Sequence, residues 1–86
     1  MNLYIFFQGE KMLAYILVSL NEPNEGKILS TFSEMPEVLD AHILFGEWDL
    51  LLKVKLDSPE DVGSFVIDKV RSLEEVGLTS TLIVAK

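Results

Sequence analysis

Four consecutive residues hold most of the chain's capacity to grip a small charged molecule. In "FGEWDLLLKV" (residues 45–54), Gly46, Glu47, Trp48 and Asp49 join two apolar runs. A link that only reversed the chain could be small and polar, yet this one carries two carboxylates and the only tryptophan. Gly46 can take a positive φ and leaves backbone N–H groups accessible. Glu47 or Asp49 can hold a cation, and Trp48 offers an apolar wall with one N–H donor.

The same four residues also suit a turn without a ligand. Gly46 can serve the bend alone, and Asp49 can bond the turn's own backbone. Trp48 equally suits the centre of a protein–protein contact. Little else in the chain points to chemistry. His42 is the single histidine and has no second histidine, cysteine or acidic cluster at metal-ligand spacing, so it reads as structural or solvated. Glu74 and Glu75 read as a solvated helix end. With no cysteine, no Gly-rich phosphate loop and no paired catalytic residues, the chain reads as a non-enzyme that needs no cofactor.

The elements that must position the turn fit in one domain of 86 residues. A chain this short buries only about 60–65% of its unfolded surface, so small domains lean on disulfides, metals or partners. Here 49% of residues are hydrophobic and cysteine is absent, which leaves partners, and self-association is expected. Fourteen acidic against seven basic residues give a net charge of −7, without a basic patch, which disfavours direct nucleic-acid binding. No apolar run approaches the roughly 18 residues of a membrane span, and the lack of cysteine fits a cytoplasmic chain.

The first eleven residues, "MNLYIFFQGEK", are similar to NLYFQG, a protease site of expression tags, with two residues inserted. The native chain is therefore expected to begin at Met12, with residues 12–86 as the domain. The other reading is an N-terminal arm or strand, because Leu3 to Phe7 are apolar. Next, "MLAYILVSL" (12–20) predicts a strand and "NEPNEG" a break. Ile28, Leu29, Phe32 and Met35 recur at helical spacing before Pro36. Strands are predicted over 38–46 and 49–56, paired as an antiparallel hairpin. "SPED" opens a second helix, with Ser58 as cap and Pro59 at its first position, and Val62, Phe65, Val66, Val70 and Leu73 face inward. Gly77 interrupts, and the last strand covers 78–85. The order is βαββαβ, an α+β, ferredoxin-like arrangement: a four-stranded antiparallel sheet with both helices on one face. The strands look apolar on both sides, so the uncovered face must meet a second molecule, and a homodimer is expected.

With these elements placed, the sequence resembles the effector-binding (RAM) domain of the Lrp/AsnC family of transcription regulators. The matching stretches are "MPEVLDAHILFGEWDLLLKV", "DVGSFVIDKV" and "TSTLIVA", with Val38, Ala41, Gly46, Asp49, Leu50, Lys53 and Val54 as the sharpest signature. The resemblance implies dimers that pair through their sheets, often assembled as a tetramer of dimers, with amino-acid effectors in the clefts between dimers. It also implies ligand contacts at Gly46, Trp48, Asp49, Thr79 and Thr81, with Glu47 as a possible extra. An amino-acid zwitterion needs acceptors, donors and an apolar wall, which the turn supplies; the two threonine hydroxyls would finish the polar ring. Alone, Thr79 and Thr81 are ordinary strand residues. The family often carries Tyr where Trp48 stands, a difference that bears on effector size. Nothing upstream of Met12 resembles the family's helix-turn-helix, so a stand-alone module is expected, acting with itself and with full-length regulators. The other reading is a purely structural oligomerisation subunit that modulates full-length regulators without binding a ligand.

Overall fold

A computed structural model describes residues 11–86. The reading of residues 1 to 11 lies outside the described residues, apart from Lys11, whose ammonium meets the Asp57 carboxylate at 2.6 Å on the surface. The elements run β1 (Met12–Leu20), α1 (Glu25–Ser33), β2 (Val38–Ile43), β3 (Leu50–Leu56), α2 (Pro59–Phe65), a π-helical continuation of α2 (Val66–Val70), and β4 (Val76–Ile83). The four strands form one antiparallel sheet in the order β2-β3-β1-β4, so the two central strands are β1 and β3. This is the ferredoxin-like arrangement expected.

Alternation decides the faces. Ala14, Ile16 and Val18 of β1 and Leu50, Leu52 and Val54 of β3 are fully buried beneath the helices. From α1, Ile28 and Phe32 pack onto them, and α2 with its continuation adds Val62, Phe65, Val66 and Val70. Each such side chain contributes about 1.5–3 kcal/mol relative to exposure. The start of α2 follows its sequence: Ser58 Oγ accepts the Asp61 N–H at 3.1 Å, and Pro59 occupies the first position.

On the opposite face, Tyr15 pairs with Lys53 and Leu82, and Leu17 pairs with Leu51 and Ser80. His42 stands beside Leu51 and is exposed, as expected for a structural or solvated residue. Among the described residues no helix covers this side. Leu78 and Leu82 are 73% and 56% exposed on the outer strand. No helix among the described residues is long and apolar enough to cross a membrane.

The elements depart from the pattern at several points, among them the end of β4, which is Ile83 rather than residue 85. β2 ends at Ile43 rather than residue 46, because the Leu44 N–H bonds the Asp49 carbonyl at 2.9 Å and the chain then bends away. The second helix widens over Val66–Val70, where the Arg71 N–H reaches back to the Val66 carbonyl at 2.7 Å. β4 begins at Val76, and Gly77 lies inside the strand.

Candidate functional site

The link between β2 and β3 is six residues long, Leu44 to Asp49, and it sits at the end of the sheet where β1 finishes and β4 starts. Gly46 has φ +141°, a conformation that side chains with a Cβ rarely adopt, so glycine is required here for the backbone itself. The space around it is open: an added Cβ would meet nothing within 4 Å. Gly46 and Glu47 are exposed and Trp48 is half-buried. Phe45, which the sequence pattern put inside a strand, is fully exposed at the tip.

Asp49 anchors this loop. Its N–H donates to the Val18 carbonyl at 2.9 Å, and its carbonyl accepts the Leu44 N–H. Its Oδ2 accepts the Leu20 N–H at 2.7 Å. The last bond stands in for a missing rung of the ladder, since the chain at Trp48 has already turned away from β1. One residue therefore ties the end of β1, the end of β2 and the start of β3. Asp49 Oδ1 has no hydrogen bond among the described residues.

Thr79 and Thr81 sit opposite Val18 and Ile16, on the helix side of the outer strand β4. Thr79 lies at the turn's end of the sheet, and Thr81 is one layer farther along. From the β3 line they are two strands away, about 10 Å at the usual spacing. The six residues thus fall into two groups: Gly46, Glu47, Trp48 and Asp49 in the turn, and Thr79 and Thr81 across β1. Two clefts of about 450 and 360 Å³ lie elsewhere, near Lys11, Asp57 and the C-terminus and between Glu37 and the second helix. None of the six residues lines either. Neither of these clefts joins the two groups.

In the second cleft, Glu37 accepts a 2.7 Å hydrogen bond from Lys69, which holds its carboxyl below the usual carboxylate range. Burial acts against this, because Glu37 Oε1 is buried without a partner.

Between the two groups lies a feature that sequence reasoning missed. Ser19 faces two residues of β4, Gly77 and Leu78, where the register shifts between Val18 and Leu20. Such a bulge interrupts the ladder, but Ser19 Oγ accepts the Leu78 N–H at 2.7 Å. A Cβ at Gly77 would stand 2.8 Å from Asn21 Oδ1 and 3.0 Å from Ser19 Oγ, so a side chain here would push both of these side chains from their positions. The only signal in the sequence was a glycine amid strand residues, which can mark a bulge as readily as a break.

Comparison with known proteins gives these elements a context. The family model described as the Lrp/AsnC ligand binding domain matches residues 13–86. A curated relative, an uncharacterized HTH-type transcriptional regulator of Pyrococcus abyssi, is 40% identical over 74 residues, which cover 81% of this chain and 49% of the relative. The chain thus spans about half the length of the curated relatives it matches. A hypothetical protein from Pyrococcus horikoshii superimposes with a TM-score of 0.79 at 34% identity, covering 85% of this chain and 88% of that one. A transcriptional regulator from Neisseria meningitidis, solved as a complex with L-Met, superimposes with a TM-score of 0.78 at 25% identity, covering 100% of this chain and 56% of that one.

Proposed function

The chain belongs to the Lrp/AsnC ligand-binding domain family, and from that premise we propose that it binds an amino-acid effector at the turn and couples binding to self-assembly. The observation that carries this reading is the turn itself. Gly46 and Glu47 are presented to solvent on a loop that Asp49 holds by three hydrogen bonds, with Trp48 beside them. Backbone N–H groups around Gly46 would take the effector's carboxylate, and Glu47 and Asp49 Oδ1 its ammonium. Trp48 would wall its side chain, and Thr79 and Thr81 would complete the polar contacts from across β1. The relative solved with L-Met supports an amino acid as the ligand class.

An exposed ion pair contributes only about 0–1 kcal/mol, so the open turn of one chain would bind weakly. Enclosure by a second dimer strengthens each charge-assisted bond. Effector binding and assembly are then linked, because a ligand that favours the closed interface stabilises the oligomer by mass action. The uncovered sheet face, with Tyr15, Leu17, Leu51, Leu78 and Leu82, supports a homodimer as the unit that assembles further. A net charge of −7 argues that this chain makes no direct contact with DNA and acts with full-length regulators instead.

The test is light scattering coupled to size exclusion, with and without each of the twenty amino acids. One amino acid should shift the assembly, and the shift should vanish in Glu47→Gln with Trp48→Ala. A second reading, a purely structural oligomerisation subunit, is favoured by one observation: Asp49 already spends Oδ2 on β1. An oligomer indifferent to all twenty amino acids would select it.

A further inference from the structure

We propose that Ser19 is a positioning residue that sets the effector-binding turn against Thr79 and Thr81; the proposal rests on the reading of the turn given above. Three hydrogen bonds connect the two groups through residues 18–20 of β1, and a fourth closes the turn. On the β4 side, Ser19 Oγ accepts the Leu78 N–H at 2.7 Å, one residue before Thr79. On the β3 side, the Leu20 N–H donates to Asp49 Oδ2 at 2.7 Å, and the Val18 carbonyl accepts the Asp49 N–H at 2.9 Å. The Leu44 N–H then bonds the Asp49 carbonyl at 2.9 Å and closes the turn.

The bulge makes Ser19 necessary. With two residues of β4 facing one of β1, the Leu78 N–H has no regular backbone partner, and an unpaired donor destabilises a ladder. The serine hydroxyl supplies that acceptor. Around it the chain has no slack. Asn21 Nδ2 donates to the Glu74 and Val76 carbonyls at 3.2 and 3.3 Å, its N–H donates to the Glu75 carbonyl at 2.8 Å, and a Cβ at Gly77 would press on both Asn21 Oδ1 and Ser19 Oγ. Held from both sides, residues 18–20 pass any shift of β4 to the Leu20 N–H, and so to the Asp49 carboxylate. The spacing between the threonines and the turn is thereby fixed within one chain, before any second molecule arrives.

The experiment uses the ligand-free protein, so it does not depend on finding the effector. Trp48 is the only tryptophan, and its fluorescence reports on the turn. Ser19→Ala should shift the Trp48 emission and speed amide exchange at Leu20 and Asp49 about tenfold, the size expected for losing the Ser19 Oγ bonds to Leu78. Ser19→Thr, which keeps the hydroxyl, should restore both. Ser58→Ala removes a comparable bond at the opposite end of the domain and should lower stability while leaving Trp48 and both amides unchanged. If Ser19→Ala left the Trp48 emission and the Asp49 amide unaltered, or if Ser58→Ala altered them equally, the proposal would be overturned. Native-state exchange of the unmutated protein gives a second check: the Leu20, Asp49 and Leu78 amides should open together with one free energy, and independent opening would also overturn it. A protein that passes both checks yet responds to none of the twenty amino acids would keep the positioning device and lose the effector reading.

Discussion

Asp49 reaches from the start of β3 to the end of β1, where its Oδ2 accepts the Leu20 N–H at 2.7 Å. The carboxylate is thus already part of the fold, and any role in holding an ammonium must be separated from this bond. Asparagine makes the separation, since its side-chain carbonyl can still accept the Leu20 N–H while the charge is gone. Asp49→Asn should unfold within about 0.5 kcal/mol of the unmutated protein and lose the effector-induced shift in assembly. Asp49→Ala should lose about 1–3 kcal/mol as well, because the Leu20 N–H is left unpaired at a partly buried site. Thermal denaturation and size exclusion read the two effects; effector binding that survives in Asp49→Asn would remove Asp49 from the contacts.

Gly46 tests the turn without touching the core. At φ +141°, alanine is strained, and the surrounding space is empty, so its cost is backbone energy rather than collision. Gly46→Ala should destabilise by about 1–3 kcal/mol and weaken effector binding more than the loss of stability alone accounts for. Titration calorimetry with the effector from the amino-acid screen, run well below the melting temperature, checks this. Unchanged affinity would mean that the turn's shape serves folding only.

Much of the arrangement was legible before any coordinates. Leu50, Leu52 and Val54 share one face by alternation and are buried, whereas the continuous apolar run of β1 hid which face Ala14, Ile16 and Val18 would take until the helices covered it. The start of α2 could be read from Ser58 and Pro59 because a cap is a local affair. What escaped the sequence depends on partners far along the chain. Asp49 finds Leu20 at a separation of 29 residues. Gly77 reads as a stop until Ser19 and Asn21 are seen pressed against it. Phe45 passes for the end of an apolar strand, yet the Leu44–Asp49 bond turns the chain early and leaves the ring in solvent. The six candidate residues were legible as types; their division into two groups across β1 follows from the strand order alone.

The Glu37–Lys69 pair ties the start of β2 to the second helix and gives a prediction in pH. The Lys69 hydrogen bond lowers the Glu37 pKa, with burial opposing it. A carboxylate whose folded value is below its unfolded one adds stability above the unfolded pKa, near 4.3 for Glu, and that stability is lost as pH falls through the folded value. Lys69 is 45% exposed, so the contribution stays within about 1 kcal/mol. Urea midpoints of the unmutated protein and Lys69→Met should differ at pH 7 and converge as pH falls through the folded Glu37 value. A gap that persisted in acid would assign the effect to packing of the lysine stem.

The uncovered sheet face gives the most direct test of assembly. Leu82 stands beside Tyr15 on that face and is 56% exposed, so its side chain contributes little to the single chain's core. In a dimer paired through the sheets it would be enclosed, where a carboxylate without a partner is strongly disfavoured. Leu82→Asp should therefore keep the circular dichroism of the fold while its mass by light scattering falls to that of one 9.7 kDa chain. The unmutated protein should in turn melt at a temperature that rises with concentration, as dimerisation requires. Ser58→Ala, far from this face, should melt lower yet keep the dimer's mass. A Leu82→Asp protein that stayed dimeric would move the interface to the exposed tip at Phe45, and Phe45→Ser would then be the variant that dissociates.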